Sequence, residues 1–371
     1  MSPWGRMSRR WVVAAVLLVA SGCTSTTEQV SMDLQATAPA SGGEPSSTDA
    51  PPPATEVVVY TSVDQSYAEP VLRAFVAETG IRVRPVFDVE AAKTTGLVNR
   101  LIAERTRPQA DVWWNGEFAQ TIALAEQGVL APYASPAAAD IPGGYKDAGG
   151  LWTGFGGRAR VIIVNTDRVA AGDAPTSIDA FLDGAVDPDQ IAIAHPVFGT
   201  TATQAAAIFA VWGADKARAF YQRIADRGVR VVDGNGAVRD LVADGQLAFG
   251  LTDTDDACGA LARGAPVRIV FPDQGDGQLG TLIIPNTVGL VAGAPHAESG
   301  QALIDYLVRA ATEADLVRAG WSQVALRPLP ADVTASACVD VSGVRGMDVG
   351  LADIAAQIEL AKTELAAIFV Q

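Results

Sequence analysis

Short apolar runs rich in β-branched residues alternate with stretches whose apolar positions recur at helical spacing, from residue 57 almost to the end of the chain. A strand buried on both faces reads as a brief unbroken apolar run, whereas a surface helix reads as an apolar stripe with polar residues between. On that basis strands are predicted over residues 57–60, 81–87, 111–114, 161–164, 190–194, 229–232, 247–251, 266–271 and 281–291. Helices are predicted over 70–80, 94–105, 118–127, 202–212, 215–228, 237–243, 257–261 and 299–312. A last helical stripe, read as packing within a lobe, runs through Leu351, Ile354, Ile358, Leu365 and Ile368. Pro70 can open its helix because a first-turn residue has no N–H bond to lose, and Gly80 and Gly128 end theirs. Strand and helix in alternation imply an α/β protein with a mostly parallel sheet and right-handed crossovers.

The texture changes at Trp152-Thr-Gly-Phe-Gly-Gly157, where glycines give the backbone room to bend before the next strand. This is the expected first crossing between two lobes, and the strand at 266–271 leads into the return. Lobe 1 is then residues 56–153 together with 275–371, and lobe 2 is residues 154–274.

Composition narrows the class. With 371 residues, 49% of them hydrophobic and 19% charged, the chain can fill two cores and is not disordered. A net charge of −15 excludes the basic footprint of a nucleic-acid binder. The chain opens with positive charge: Arg6, Arg9 and Arg10 precede an apolar segment over 11–20. Leu18-Val-Ala-Ser-Gly-Cys23 then resembles a bacterial lipoprotein cleavage box, although Ala20 stands where such boxes usually carry leucine. Residues 1–22 are expected to be a lipoprotein-type signal peptide and Cys23 the lipidated residue, an ordinary signal peptide being the alternative. Residues 23–55, rich in Ser, Thr and Pro, read as a flexible tether. The protein is expected to be exported, periplasmic or at the cell surface, and held to the membrane only by lipid on Cys23. Apart from Cys23, only Cys258 and Cys338 remain; a disulfide between them is compatible with the sequence but not dictated by it.

In a parallel sheet, ligands gather beyond the carboxyl ends of the strands. Those ends carry Tyr60, Thr61, Ser62 and Asp64, with Tyr67 close behind, then Asn115 and Glu117. The densest set closes Leu247-Ala-Phe-Gly-Leu-Thr-Asp-Thr-Asp-Asp256: Thr252, Asp253, Thr254, Asp255 and Asp256. Three carboxylates in four residues repel one another unless cations, N–H groups, hydroxyls or an ammonium answer them; a capped turn on a solvated rim is the plainer alternative. Arg158 and Arg160, at alternate strand positions, point the same way and either clamp an anion or pair with those carboxylates. Gly199, Thr200 and Thr201 precede a helix whose free N–H groups and dipole suit an anion, or else serve as an ordinary cap.

Taken in order, several motifs resemble the ferric-iron type of bacterial extracellular solute-binding protein, family 1, the receptors of ATP-driven importers. They are Val57-Val-Val-Tyr-Thr-Ser-Val-Asp-Gln65, Phe75-Val-Ala-Glu-Thr-Gly80, Gln109-Ala-Asp-Val-Trp-Trp-Asn115, Gly128-Val-Leu-Ala-Pro-Tyr133, Trp152-Thr-Gly-Phe-Gly-Gly-Arg-Ala-Arg160, Pro196-Val-Phe-Gly-Thr-Thr201 and Ile284-Pro-Asn-Thr-Val288. The resemblance spans about residues 57–330 and implies the type II periplasmic-binding-protein fold: two α/β lobes, two crossing segments, one ligand between them and no catalysis. It also implies an ABC permease and ATPase as partners, and a monomer is expected. Ferric binders of this type use an adjacent tyrosine pair in the second lobe, yet residues 250–256 hold aspartates and threonines, and Tyr221 is that lobe's one tyrosine. Iron as transported ligand would therefore rely on Asp253, Asp255, Tyr60 and Tyr67. The competing ligand is a phosphorylated or phosphonate-type organic anion, held by Arg158, Arg160 and the Gly199-Thr-Thr201 helix start, with the aspartates on its hydroxyls or ammonium. No resident cofactor is expected. An enzyme using Cys258 with His195 or His296 is the rival class, but carboxylates beside Cys258 would raise its pKa and blunt it.

Overall fold

The computed structural model describes residues 55–88, 95–330, 333, 338–341 and 343–370. The predicted signal peptide, Cys23 and the tether up to residue 54 lie outside the described residues.

The predicted alternation holds. In the first half β1 (Glu56–Thr61) lies parallel to β2 (Arg82–Phe87) and β3 (Val112–Asn115), connected through α1 (Gln65–Thr79) and α2 (Thr95–Glu104). Next come α3 (Ala119–Glu126), β4 (Leu130–Ala131) and a long strand, β5 (Thr153–Asn165). The second half contributes β6 (Ile191–Ala194), α4 (Gly199–Trp212), α5 (Ala214–Arg227), β7 (Arg230–Val232), α6 (Asn235–Ala243), β8 (Phe249–Asp253), α7 (Thr254–Ala262) and β9 (Val267–Val270). The chain returns through β10 (Ile283–Val291) and closes with α8 (Ala297–Val308), α9 (Ala310–Arg318), α10 (Leu351–Ala355) and α11 (Ile358–Phe369).

The strands make one mixed sheet in the order β2-β1-β3-β10-β5-β8-β6-β7, with β4 also on β10 and β9 also on β5. The pivot is β5. Its first residues pair antiparallel with β10 and its later residues with β8 and β9, so one strand belongs to both halves. The glycine-rich run expected to bend is therefore part of a strand. Gly156 adopts φ 49° beside a register shift between Pro285 and Asn286, a conformation costly for any residue with a Cβ.

Two faces of the sheet are filled separately. Val57, Val59, Leu72, Phe75, Trp114, Leu303 and Leu307 form one core of the first half, and Val161, Ile163, Ala192, Val238, Val242 and Ala257 form one core of the second. The other face joins Ile162, Ile193, Phe209 and Phe249 of the second half, and Trp113, Phe118 and Leu124 of the first, to the tail residues Ile354, Ile358 and Leu365. α10 packs on both α3 and α4, and α11 packs on α4 and α5, where Arg218 Nε meets Glu364 Oε2 at 2.6 Å. The tail thus covers elements from both halves.

Four helices differ instructively from expectation. α1 begins at Gln65, not near Pro70, because the Asp64 carbonyl already accepts the N–H groups of Tyr67 and Ala68. Pro70 sits inside it. α4, α6 and α7 likewise start within polar residues read as loop, since a first turn need not bury apolar side chains. Cys258 of α7 is bonded to Cys338, with Cα atoms 5.6 Å apart, which removes it as a nucleophile. Among the described residues no helix is long and apolar enough to cross a membrane.

A buried carboxylate pins the pivot strand. Glu313 of α9 is fully buried and accepts from the Gly156 N–H at 3.0 Å, the Leu326 N–H at 2.7 Å and Arg327 Nε at 2.7 Å, the arginine being 2% exposed. Arg327 keeps Asp140 on Nη1 at 2.5 Å, but without Glu313 its buried Nε and the Gly156 and Leu326 N–H groups lose their acceptor. Glu313→Ala is expected to lower unfolding free energy by about 3–5 kcal/mol, read from the urea midpoint. Glu313→Gln, which keeps acceptors for the two N–H groups, should cost clearly less.

Candidate functional site

Beyond the carboxyl ends of β1, β3, β6, β7 and β8 the two halves enclose a cleft of about 380 Å³. Ser62, Asp64, Tyr67, Gly116 and Glu117 line it from the first half. Arg158, His195, Phe198, Gly199, Thr200, Thr201, Asn235, Arg239, Asp253, Asp255 and Asp256 line it from β5 and the second. Five helices start at this wall: α1 after Asp64, α3 after Phe118, α4 at Gly199, α6 at Asn235 and α7 after Asp253. Their positive dipole ends gather along this wall, although at α3 the Ala119 and Gln120 N–H groups already donate to Glu117. At Gly199, φ is 52°, a left-handed conformation that frees the chain to turn straight from β6 into α4.

Behind the cleft lies a buried polar network. Arg160 is fully buried and donates to Asp253 Oδ1 at 2.8 Å, Gln204 Oε1 at 2.8 Å, Asn235 Oδ1 at 3.0 Å and Thr200 Oγ1 at 3.3 Å. Asp253 Oδ2 accepts from Thr200 Oγ1 at 2.6 Å and Asn235 Nδ2 at 3.1 Å. Burial alone would raise the Asp253 carboxyl; Arg160, Arg158 and the Thr200 hydroxyl outweigh it and hold it below the usual carboxylate range.

In front, Arg158 Nε lies 3.3 Å from Asp253 Oδ2 and 4.0 Å from Asp255 Oδ1. Burial would lower its pKa, but Asp255, Asp253, Asp64 and Asp256 raise it above the ordinary arginine value. Arg239 of α6 donates to Asp256 Oδ1 at 2.9 Å. The Tyr67 phenol is pushed up to about 12 by burial and by the charges of Asp255, Asp256 and Asp64, so it is a neutral hydroxyl at neutral pH. Its ring leans on Trp321, centroids 5.9 Å apart.

The predicted site residues divide by position. Ser62, Asp64, Tyr67, Glu117, Arg158, Gly199, Thr200, Thr201, Asp253, Asp255 and Asp256 all line the cleft. Tyr60 does not: it is buried, and its hydroxyl donates to Glu104 Oε2 at 2.9 Å under the Arg100 guanidinium. Arg160 serves as an internal counter-charge, because its strand position sits in register with Asp253. Asn115 stands behind the lining, donating to Glu117 Oε1 at 2.8 Å, and Thr61 Oγ1 accepts from the Val63 N–H at 3.1 Å. Thr252 donates to the Asn235 carbonyl at 3.2 Å and Thr254 to Gln323 Oε1 at 2.8 Å, so both turn away from the cavity. Asn235, Arg239, His195, Phe198 and Asp233 were not singled out from sequence as ligand residues. For Asn235 the signal was present, a Gly-Asn-Gly run ahead of a helix; Arg239 is visible only once α6 is placed beside α7.

A family profile described as bacterial extracellular solute-binding protein matches residues 71–339. The chain belongs to that family. This solute-binding protein is 29% identical over 294 residues to the putative 2-aminoethylphosphonate-binding periplasmic protein of Salmonella paratyphi A, across 77% of this chain and 83% of the relative. Apo ferric ion-binding protein A of Pasteurella haemolytica superposes with a TM-score of 0.74 at 21% identity, covering 85% of this chain and 98% of its own. The periplasmic binding protein AfuA of Actinobacillus pleuropneumoniae, with fructose-6-phosphate bound, gives 0.74 at 19% identity, covering 85% and 99%. The architecture is that of the type II periplasmic binding proteins, as the resemblance implied.

The Arg160–Asp253 pair makes a pH prediction. Asp253 has a depressed folded pKa, so its contribution is present above the unfolded value of about 3.9 and is lost as pH falls through the lower folded value. Arg160→Met removes the main counter-charge and raises the folded pKa. Acid unfolding followed by tryptophan fluorescence should then begin at higher pH than in the parent.

Proposed function

We propose that this solute-binding protein captures a small organic solute carrying both a phosphonate or phosphate and a cationic or hydroxylated end, and delivers it to the permease and ATPase of an ABC importer. One observation carries the reading: a single cleft presents five helix starts and two arginines together with a cluster of aspartates. Helix N-termini and the Arg158 guanidinium suit the anion, and Asp255, Asp64 and the neutral Tyr67 hydroxyl suit an ammonium or hydroxyls. 2-Aminoethylphosphonate, named for the Salmonella relative, has both.

The two halves close by flexing at β5 and the 271–282 return, excluding water from the solute, and the closed form docks on the permease. Export, with lipid on Cys23 and a tether reaching to residue 55, lets a monomer work at the membrane surface without spanning it. The protein has no catalytic role in this reading.

Ferric iron is the second reading, and one observation favours it. One oxygen each from Asp253, Asp255 and Asp256 can be chosen so that all lie within 4.8 Å of one another, as a metal needs. Against it, Asp253 is committed to Arg160, Thr200 and Asn235, and the Tyr60 hydroxyl to Glu104.

Native mass spectrometry and metal analysis of protein purified without chelator separate the two. A phosphonate or phosphate compound should co-purify, and calorimetry should show 2-aminoethylphosphonate binding. Arg158→Ala should weaken that binding by about 2–5 kcal/mol, with thermal unfolding still cooperative. Bound iron with a visible charge-transfer colour, and no heat with the phosphonate, would defeat the reading.

A further inference from the structure

His195 follows the last residue of β6 in the cleft wall, its backbone N–H bonded to the Val232 carbonyl at 2.9 Å. The ring is held by aromatic neighbours on two sides: Phe198, at 5.4 Å between centroids, and Phe369 of α11, at 6.4 Å. Its Nδ1 is buried and meets no hydrogen-bond partner among the described residues. Buried polar nitrogens are nearly always paired, so this one calls for a partner. Gly199, Thr200 and Asn235, at the starts of α4 and α6, line the same cavity. In the sequence His195 figures only as a base of the rival enzyme class; in the cleft two aromatic rings flank it, where Tyr67 has Trp321.

We propose that His195 is a ligand-contacting residue of the anion subsite, completing its hydrogen bonding on an oxygen of the bound phosphonate or phosphate and taking a proton from solvent as the dianion binds. The proposal rests on the organic-anion reading. In the unliganded cleft, burial lowers the pKa of the ring below the ordinary histidine value, with Asp233 at the end of β7 partly opposing the shift. Asp233 is the charged group that acts on the ring from the elements packed around it; Phe198 and Phe369 bring no charge. The ring is thus neutral at neutral pH, with one donor and one acceptor. A dianion beside it favours the imidazolium, so occupancy raises the pKa that burial had lowered. Binding and proton uptake are then linked, and affinity for the dianion rises as pH falls until the free ring is itself protonated. The aromatic mount keeps the ring from turning away, at the place where the C-terminal helix meets the cleft.

The test is calorimetry of 2-aminoethylphosphonate with the full protein at neutral pH, in two buffers of different ionisation enthalpy, for the parent, His195→Gln and His195→Ala. The difference in protons taken up between parent and variant isolates the imidazole, because the ligand's own protons cancel. The parent should take up more protons than His195→Gln. His195→Ala should bind about tenfold or more weakly, with His195→Gln recovering part of the loss through its amide. A merely structural role would weaken binding and leave the proton count unchanged. Equal proton uptake in parent and His195→Gln, both with cooperative thermal unfolding, overturns the role of His195 while leaving the organic-anion reading in place. Failure of the parent to bind the phosphonate or a sugar phosphate overturns both.

Discussion

The site depends on the buried pair of Arg160 and Asp253. Two charges taken out of water are costly, and their mutual attraction offsets the loss only when every remaining donor and acceptor is also met. Here that condition recruits partners from separate elements: Gln204 and Thr200 from α4, Asn235 from α6, and Asp253 where β8 passes into α7. One guanidinium on β5 therefore holds the starts of three helices in register. A buried ion pair is weak testimony for stability, since an apolar replacement can do as well. Its value is positional. An apolar cluster would not fix which carboxylate oxygen faces Arg158 or where the first turns of α4 and α6 end.

Arg158 and Arg160 show how two residues of one type, two apart, acquire different work. Both are on β5 and alternation sends both to one side of the sheet. Arg160 pairs in register with Asp253 of β8, inside the second half, while Arg158 pairs with Ile284 of β10 at the seam between halves. The seam is where a closing cleft meets its solute. There the Arg158 guanidinium lies against Gly116 of the first half, where an added Cβ would stand 3.2 Å from Nη2. The pivot strand thus carries a structural cation and a cation exposed to the cleft side by side, with Glu313 anchoring the same strand from below through Gly156.

Much of this was legible in the chain. The alternation of apolar runs and stripes located the strands and the parallel pairing of β1 with β2 and β3 and of β6 with β7 and β8. It did not locate the antiparallel joints that β5 and β10 make between them, which turn the expected mostly parallel sheet into a mixed one. Strand ends located the polar loops. The resemblance supplied the two-lobed plan. What stayed hidden is long-range. Tyr60 looks like a cleft residue from its place at a strand end, but its hydroxyl finds Glu104, a partner on α2 that no spacing reveals. The polar run from Thr252 to Asp256 reads as one cluster; the strand's alternation and the start of α7 split it, sending Thr252 and Thr254 to Asn235 and Gln323 and the three aspartates to the cavity. The tail stripe predicted an amphipathic helix without saying what it would cover, and α11 covers α4 and α5.

The cleft's acidity looks at first like an argument against an anion, since carboxylates outnumber arginines along its lining. The count misleads because several carboxylates are spent internally. Asp253 faces Arg160, Thr200 and Asn235; Glu117 accepts the Ala119 and Gln120 N–H groups at 2.6 and 3.0 Å with the Thr203 hydroxyl at 3.1 Å; Asp256 takes Arg239. A carboxylate whose lone pairs are already filled by N–H and O–H groups presents far less field to a guest than its formal charge suggests. The bond from Thr203 to Glu117 also joins α4 to the loop before α3, so this neutralisation is accomplished partly across the two halves. Helix dipoles add fixed positive potential that formal charge omits altogether. A lining that is acidic by composition can therefore be amphoteric by field, which is the property a solute with charges of both signs requires.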